Sequence, residues 1–189
     1  MLIISQNLSN YNISIPEDAI FRINLAWVSD LDKLKKILRK HRRHTIFLDL
    51  PIGRTKPPNN KYSLEDLIPI IHLHPNIEYF AVSNVESPSD LKKYIEVMPQ
   101  YITIVPKIEN SKGIKNIKKI TDALSNEKKI IMLDHDDLFS SLVKNNEPVI
   151  NFKEYVNRLV DFCENNDIIL LRTKGVIFGD DEKRVSWID

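Results

Sequence analysis

Short, unbroken apolar runs recur along the chain at residues 2–4, 19–24, 45–49, 79–83, 102–109, 129–133 and 168–173. Each is bounded by polar residues, the pattern of strands buried on both faces. Between them, apolar residues fall three and four apart, as on one face of a helix. Ser29 is the expected cap of a helix over 31–38, with Leu31, Leu34 and Leu38 at that spacing. Ser63 heads a second that runs to His72, and Ser87 or Ser89 a third with Leu91, Tyr94 and Ile95 on one face. A fourth carries Ile114, Ile117, Ile120 and Leu124; a fifth opens at Asn151 and turns Tyr155, Leu159 and Phe162 inward. A polar residue precedes each apolar face, where a side-chain oxygen accepts from free helix N–H groups.

Strand–helix alternation over the whole length predicts a parallel sheet with crossover helices. Six or seven such units point to an α/β fold of the TIM-type (β/α) barrel class. At 189 residues the barrel is trimmed, since a full one usually needs at least ~200. The pattern leaves open whether it closes. The apolar piece Val176-Ile177-Phe178 has no assigned place. No low-complexity linker divides the chain, so residues 1–189 are expected to form one domain.

Composition narrows the function classes. Hydrophobic residues make up 42% and charged residues 28%, values of a globular chain. No apolar run approaches the ~18–20 residues of a membrane span, and the opening Met1-Leu2-Ile3-Ile4 has no basic leader. A cytoplasmic protein without a membrane partner is expected. The net charge of +1 argues against nucleic acid as a partner. A single cysteine, Cys163, excludes an internal disulfide. Four glycines and no Gly-rich turn after the first run exclude a nucleotide-binding phosphate loop. An incompletely closed sheet would expose an edge and favour a homodimer.

Candidate chemistry gathers where the predicted strands end, the face on which barrels carry their active sites. Arg22 and Asn24 end the second run, Asp49 the third and Ser83 the fourth. Lys107 and Glu109 lie in the fifth; Asp134, His135, Asp136 and Asp137 follow the sixth; Thr173 ends the seventh. Lys107 and Glu109 are two residues apart and share a strand face. Either they pair or bind a ligand inside the sheet, or Pro106 makes a bulge and both are solvated. Two carboxylates suit Mg²⁺, which keeps waters and substrate oxygens as its other ligands. Equally, Asp136-Asp137 caps a helix starting at Leu138. His41 and His44 are expected to be solvated in a basic turn with Arg42 and Arg43, and Trp27 to be packed.

The stretch Lys107-Ile108-Glu109-Asn110, with Gly113 and Asn116-Ile117 after it, resembles the fifth-strand motif of the pyruvate kinase family. Phe21-Arg22-Ile23-Asn24 and Asp49 to Arg54-Thr55 are similar to other pieces of that family in the same order. Asp137-Leu138-Phe139-Ser140-Ser141-Leu142 looks like the sixth-strand signature of citrate-lyase-type aldolases in the same superfamily. The resemblance implies a phosphoenolpyruvate/pyruvate-superfamily barrel without the kinase's lid and C-terminal domains. It implies Glu109 and Asp137 as ligands of Mg²⁺ or Mn²⁺, Lys107 as the cation that stabilises an enolate, and Arg22 on a phosphate or carboxylate. It places Asn24, Ser83 and Thr173 at the substrate, with Thr173 beside the carbon that gains a proton. Asn24 and Asp49 would hold K⁺, although the family's serine and threonine there are Ala26 and Leu50. The implied function is metal-dependent lyase, aldolase or enolpyruvate-protonating chemistry on a small 2-oxo acid or enolpyruvate. The alternative is a degenerate, non-catalytic relative kept as a binding or assembly protein.

Overall fold

Seven strands, one from each apolar run, lie side by side in chain order and all parallel. The structure is a computed structural model that describes residues 3–6, 15–53, 57–172, 176–178 and 184–186. The strands are β1 (Ile3–Ser5), β2 (Ile20–Asn24), β3 (Ile46–Leu50), β4 (Ile77–Val82), β5 (Thr103–Ile108), β6 (Ile130–Leu133) and β7 (Ile169–Arg172). The sheet curls into an open half-barrel of α/β type. The unassigned piece Val176–Phe178 (β8) does not join it as an eighth parallel strand. It pairs antiparallel with β9 (Arg184–Ser186) in a separate two-stranded ribbon.

The crossovers are α1 (Leu31–Lys40), α2 (Leu64–Leu73), α3 (Ser89–Val97), α4 (Ser111–Lys115) with α5 (Ile117–Asp122), and α6 (His135–Lys144) with α7 (Asn151–Asn165). Ser63 caps α2 as expected, its side chain accepting from Asp66 N–H. Elsewhere the caps differ from the sequence reading. Asp30, not Ser29, accepts from Lys33 N–H at the head of α1, and Ser29 Oγ donates to Asp30 instead. A carboxylate one residue nearer the helix displaces the hydroxyl from the capping place. Pro88 heads α3 without a side-chain cap, and Asp90 Oδ2 takes the N–H groups of Glu86 and Ser87. The single helix expected over Ile114 to Leu124 is broken at Asn116.

Strand alternation divides the buried residues into two cores. Phe21, Ile23, Ile46, Leu48, Phe80, Ile104, Ile108, Ile131 and Leu133 face the helices and form the larger one. The concave face holds a smaller cluster of Ile20, Phe47, Ala81, Val105, Ile130 and Met132. Following the same parity toward the strands' C-terminal ends, Ile20 gives way to Arg22, Phe47 to Asp49, Ala81 to Ser83 and Val105 to Lys107. The concave face is therefore apolar at one end and charged at the other, as in a barrel whose lower layers are core and whose mouth is a site. No helix among the described residues is long and apolar enough to cross a membrane.

Candidate functional site

At the C-terminal end of the concave face, four charged side chains form a chain of ion pairs. Arg22 pairs with Asp49 through Oδ2, with Nε 3.1 Å away. Asp49 Oδ1 lies 3.7 Å from Lys107 Nζ, and Lys107 Nζ lies 2.8 Å from Glu109 Oε1. Asp49, Lys107 and Glu109 are buried, at 1%, 5% and 2% exposure, so the solvated reading of the fifth strand is set aside. Pro106 makes no bulge, since β4 and β5 keep their register through Val82 and Pro106. Lys107 reaches across β4 to Asp49 because Ala81, the neighbour of Asp49 on that strand, is small. Ser83 Oγ accepts a further hydrogen bond from Lys107 Nζ at 3.1 Å.

Burial opposes the charge on Lys107. The carboxylates of Asp49 and Glu109 outweigh it and hold the ammonium above its ordinary pKa. Glu109 is pushed upward, first by burial and then by the nearby Asp137 carboxylate, with Lys107 only partly offsetting the rise. Asp49 Oδ1 and Glu109 Oε1 are both buried and face the Lys107 ammonium, Glu109 at hydrogen-bonding distance and Asp49 farther off as an ion-pair partner. A buried carboxylate oxygen held this way retains acceptor capacity for a cation or a substrate donor.

The other Glu109 oxygen is fixed by a residue the sequence reading did not single out. Asn84 donates its backbone N–H to Glu109 Oε2 at 2.8 Å. It does so in the left-handed region, at φ 55°. An asparagine two residues past a strand was the available signal, because Asn tolerates that region better than most residues.

Asp137 lies on the first turn of α6, close enough to act on Glu109 electrostatically. It is not the cap: Asp134 accepts from the N–H groups of Asp136 and Asp137, and the helix begins at His135 rather than Leu138. Asn24 sits at the end of β2, but its side chain accepts from Ala26 N–H and caps the 3₁₀ turn Leu25–Trp27. With Asp49 held by Arg22 and Lys107, the two residues expected to take K⁺ are engaged with protein groups. Thr173, Arg54 and Thr55 lie outside the described residues. At the rim, Arg172 donates to His135 Nε2 from Nε, 3.3 Å away.

Two expectations away from the mouth are corrected. His41 is not solvated; it is buried and stacked on Phe21 with ring centroids 3.7 Å apart. Burial lowers its pKa to about 4, with His44 and Lys40 adding to the effect. Trp27 is not packed, being 49% exposed.

No family model matches the chain, and no curated protein matches it. Among solved structures it is similar to RipC from Yersinia pestis, with a TM-score of 0.59 and 16% identity over 85% of this chain and 72% of that one. At that identity the likeness shows the fold alone. The resemblance to the pyruvate kinase family and to citrate-lyase-type aldolases is therefore corrected: no family or curated match supports it, and the likeness in fold is to RipC.

Local architecture accounts for much of the motif that suggested it. Asn110 caps α4 by accepting from Gly113 N–H at 2.9 Å. A Cβ at Gly113 would stand 2.5 Å from the Val85 carbonyl oxygen, so only glycine lets α4 approach the loop after β4. Asn116 Nδ2 holds the same loop through Glu86 O at 2.9 Å. In the Asp137-to-Leu142 string, Leu138 and Leu142 are the buried face of α6.

Proposed function

We propose that the mouth of the half-barrel is the active site of a Mg²⁺- or Mn²⁺-dependent enzyme. Its substrate would be a small 2-oxo acid or enolpyruvate-like acid, and its reaction carbon–carbon bond cleavage or formation, or protonation of an enol. In the same reading the sheet is a trimmed, open TIM-type barrel. The observation that carries the proposal is the buried Lys107 ammonium, held between Asp49 and Glu109 at the strands' C-terminal ends.

An amine kept protonated is a poor nucleophile, so Lys107 does not suit carbonyl addition. It suits fixed positive charge aimed at an anion that develops on substrate, in a site where burial strengthens the effect. Arg22 is partly exposed, with 18% of its side chain accessible, and it is positioned to orient a substrate carboxylate. Ser83 shares Lys107 Nζ and keeps it turned toward the mouth.

Among the described residues no group of three or more His, Cys, Asp or Glu side chains forms a metal cage. A hard cation of the Mg²⁺ type does not require one, since it commonly takes one or two carboxylates and keeps several waters. Glu109, whose buried Oε1 faces Lys107, and the nearby Asp137 fit that donor set. When bound, such a cation supplies Lewis-acid polarisation of a substrate oxygen.

Calorimetric titration of Mg²⁺ and Mn²⁺, with and without pyruvate or oxalate, tests the reading on wild type and Glu109→Gln. Metal-dependent binding of the acid that is lost in the variant supports it. Absence of metal binding at millimolar concentration, or binding unchanged by Glu109→Gln, overturns it in favour of a non-catalytic binding protein.

A further inference from the structure

We infer that Asn84 is a positioning residue for Glu109, locking one carboxylate oxygen so that the other is presented to Lys107 and to a divalent cation. The inference rests on the functional reading above and deepens it.

Three observations converge on this residue. Its backbone N–H meets Glu109 Oε2 at 2.8 Å. Its φ of 55° is left-handed, a region costly for most side chains but inexpensive for Asn or Gly. Its side chain is tied as well: Asn84 Nδ2 donates to Ile52 O in the loop after β3. Next to that carbonyl, Gly53 takes φ 71°, and a Cβ there would stand 3.2 Å from Asn84 Nδ2. The loops after β3 and β4 therefore clasp each other at Asn84. From the far side, Val85 N–H donates to Lys107 O at 3.1 Å, fixing the same loop to β5.

The consequence for Glu109 follows from counting its oxygens. Oε2 is engaged by the Asn84 N–H, and Oε1 faces Lys107 Nζ at 2.8 Å. A carboxylate free to rotate about its last torsion would present either oxygen, and that torsion is broad. With Oε2 held, the orientation is set before any ligand arrives. Groups behind a metal ligand that fix its orientation typically contribute tenfold or more to affinity.

The test compares Asn84→Gly, which keeps both the left-handed backbone and the N–H, with Asn84→Val, whose β-branched side chain disfavours φ > 0. Mn²⁺ alone is titrated into each purified variant by calorimetry, and thermal unfolding confirms that each is folded. The expected result is near-wild-type Mn²⁺ affinity in Asn84→Gly and at least tenfold weaker binding in folded Asn84→Val. Equal affinity in folded Asn84→Val and wild type, or equal loss in both variants, overturns the inference.

A second measurement needs no metal. The Asn84 amide signal in ¹H–¹⁵N spectra should lose its downfield shift and exchange protection in Glu109→Gln, where a weaker neutral acceptor replaces the carboxylate. An unmoved signal overturns the positioning role whatever the titrations give. A moved signal with no Mn²⁺ binding in wild type supports the contact and refutes the metal-dependent function instead.

Discussion

Lys107 Nζ and Glu109 Oε1 are 2.8 Å apart at the C-terminal end of β5, and both residues are almost entirely shielded from water. A pair buried so deeply adds little net stability against an apolar replacement, but removing one member leaves an uncompensated charge. Lys107→Met strands Glu109 and leaves Asp49 to Arg22 alone. We expect it to lower unfolding stability by about 3 kcal/mol at neutral pH. Adding Glu109→Gln to Lys107→Met should restore part of the loss. Urea unfolding of the two single variants and the double variant checks this through the coupling energy, which should be clearly nonzero.

The opposite end of the sheet gives a pH dependence. His41 is stacked on Phe21 and held neutral, with a pKa of about 4 in the folded chain against an ordinary 6.5. Between those values the unfolded state binds more protons than the native state, so stability falls as pH drops from 6.5 toward 4. Allowing for partial hydration, the loss should be on the order of 1–2 kcal/mol. His41→Phe keeps the stacked ring and removes the proton site. Its urea midpoint should therefore change less than that of wild type between about pH 7 and pH 5. An identical acid response in both proteins would show that the lability arises elsewhere.

The mouth was legible because strand parity is readable. Lys107 and Glu109 at i and i+2, and polar residues at the ends of apolar runs, follow from the two-residue repeat of a strand. The caps were less legible because Ser29 next to Asp30, and Asp134 next to Asp136, offer equivalent side chains one or two places apart. Local sequence does not rank them. His41 was misjudged because its neighbours in sequence, Arg42 and Arg43, are exposed, whereas its neighbours in space are Phe21 and His44. The eighth strand was not decidable from apolarity alone: three residues such as Val176–Phe178 fit a ribbon as well as a barrel. Asn84 escaped notice because its role lies in a backbone N–H, which every residue except proline possesses.

Gly113 tests whether the β5–α4 junction supports the site. A methyl group there would meet the Val85 carbonyl at 2.5 Å, and backbone cannot turn aside as a flexible side chain can. Gly113→Ala should therefore cost about 1–3 kcal/mol, the range for overpacking a well-filled contact. The strain falls on the loop that carries Asn84, so Mn²⁺ affinity should fall together with the thermal midpoint. A stabilised Gly113→Ala protein would mean that helix propensity outweighs the contact, and that the loop has room to move.

Asp49 contributes to how strongly Lys107 holds its proton. Its charge raises the lysine's pKa, as Glu109 does through both its charge and a hydrogen bond, and it also pairs with Arg22. Asp49→Asn keeps the shape and removes the charge. Lys107 then retains Glu109 but loses one of its two carboxylates, while burial still opposes the ammonium. Its pKa should drop, and its amine should become reactive toward an acylating reagent at a lower pH than in wild type. Mass-spectrometric mapping of acylation at Lys107 across roughly pH 7 to 10 measures this directly. The same substitution makes the mouth more positive by one charge, so oxalate should bind the metal-free variant more tightly than wild type. Unchanged Lys107 reactivity would show that Glu109 alone sets the ammonium. The 3.7 Å approach of Asp49 would then serve Arg22 rather than the lysine.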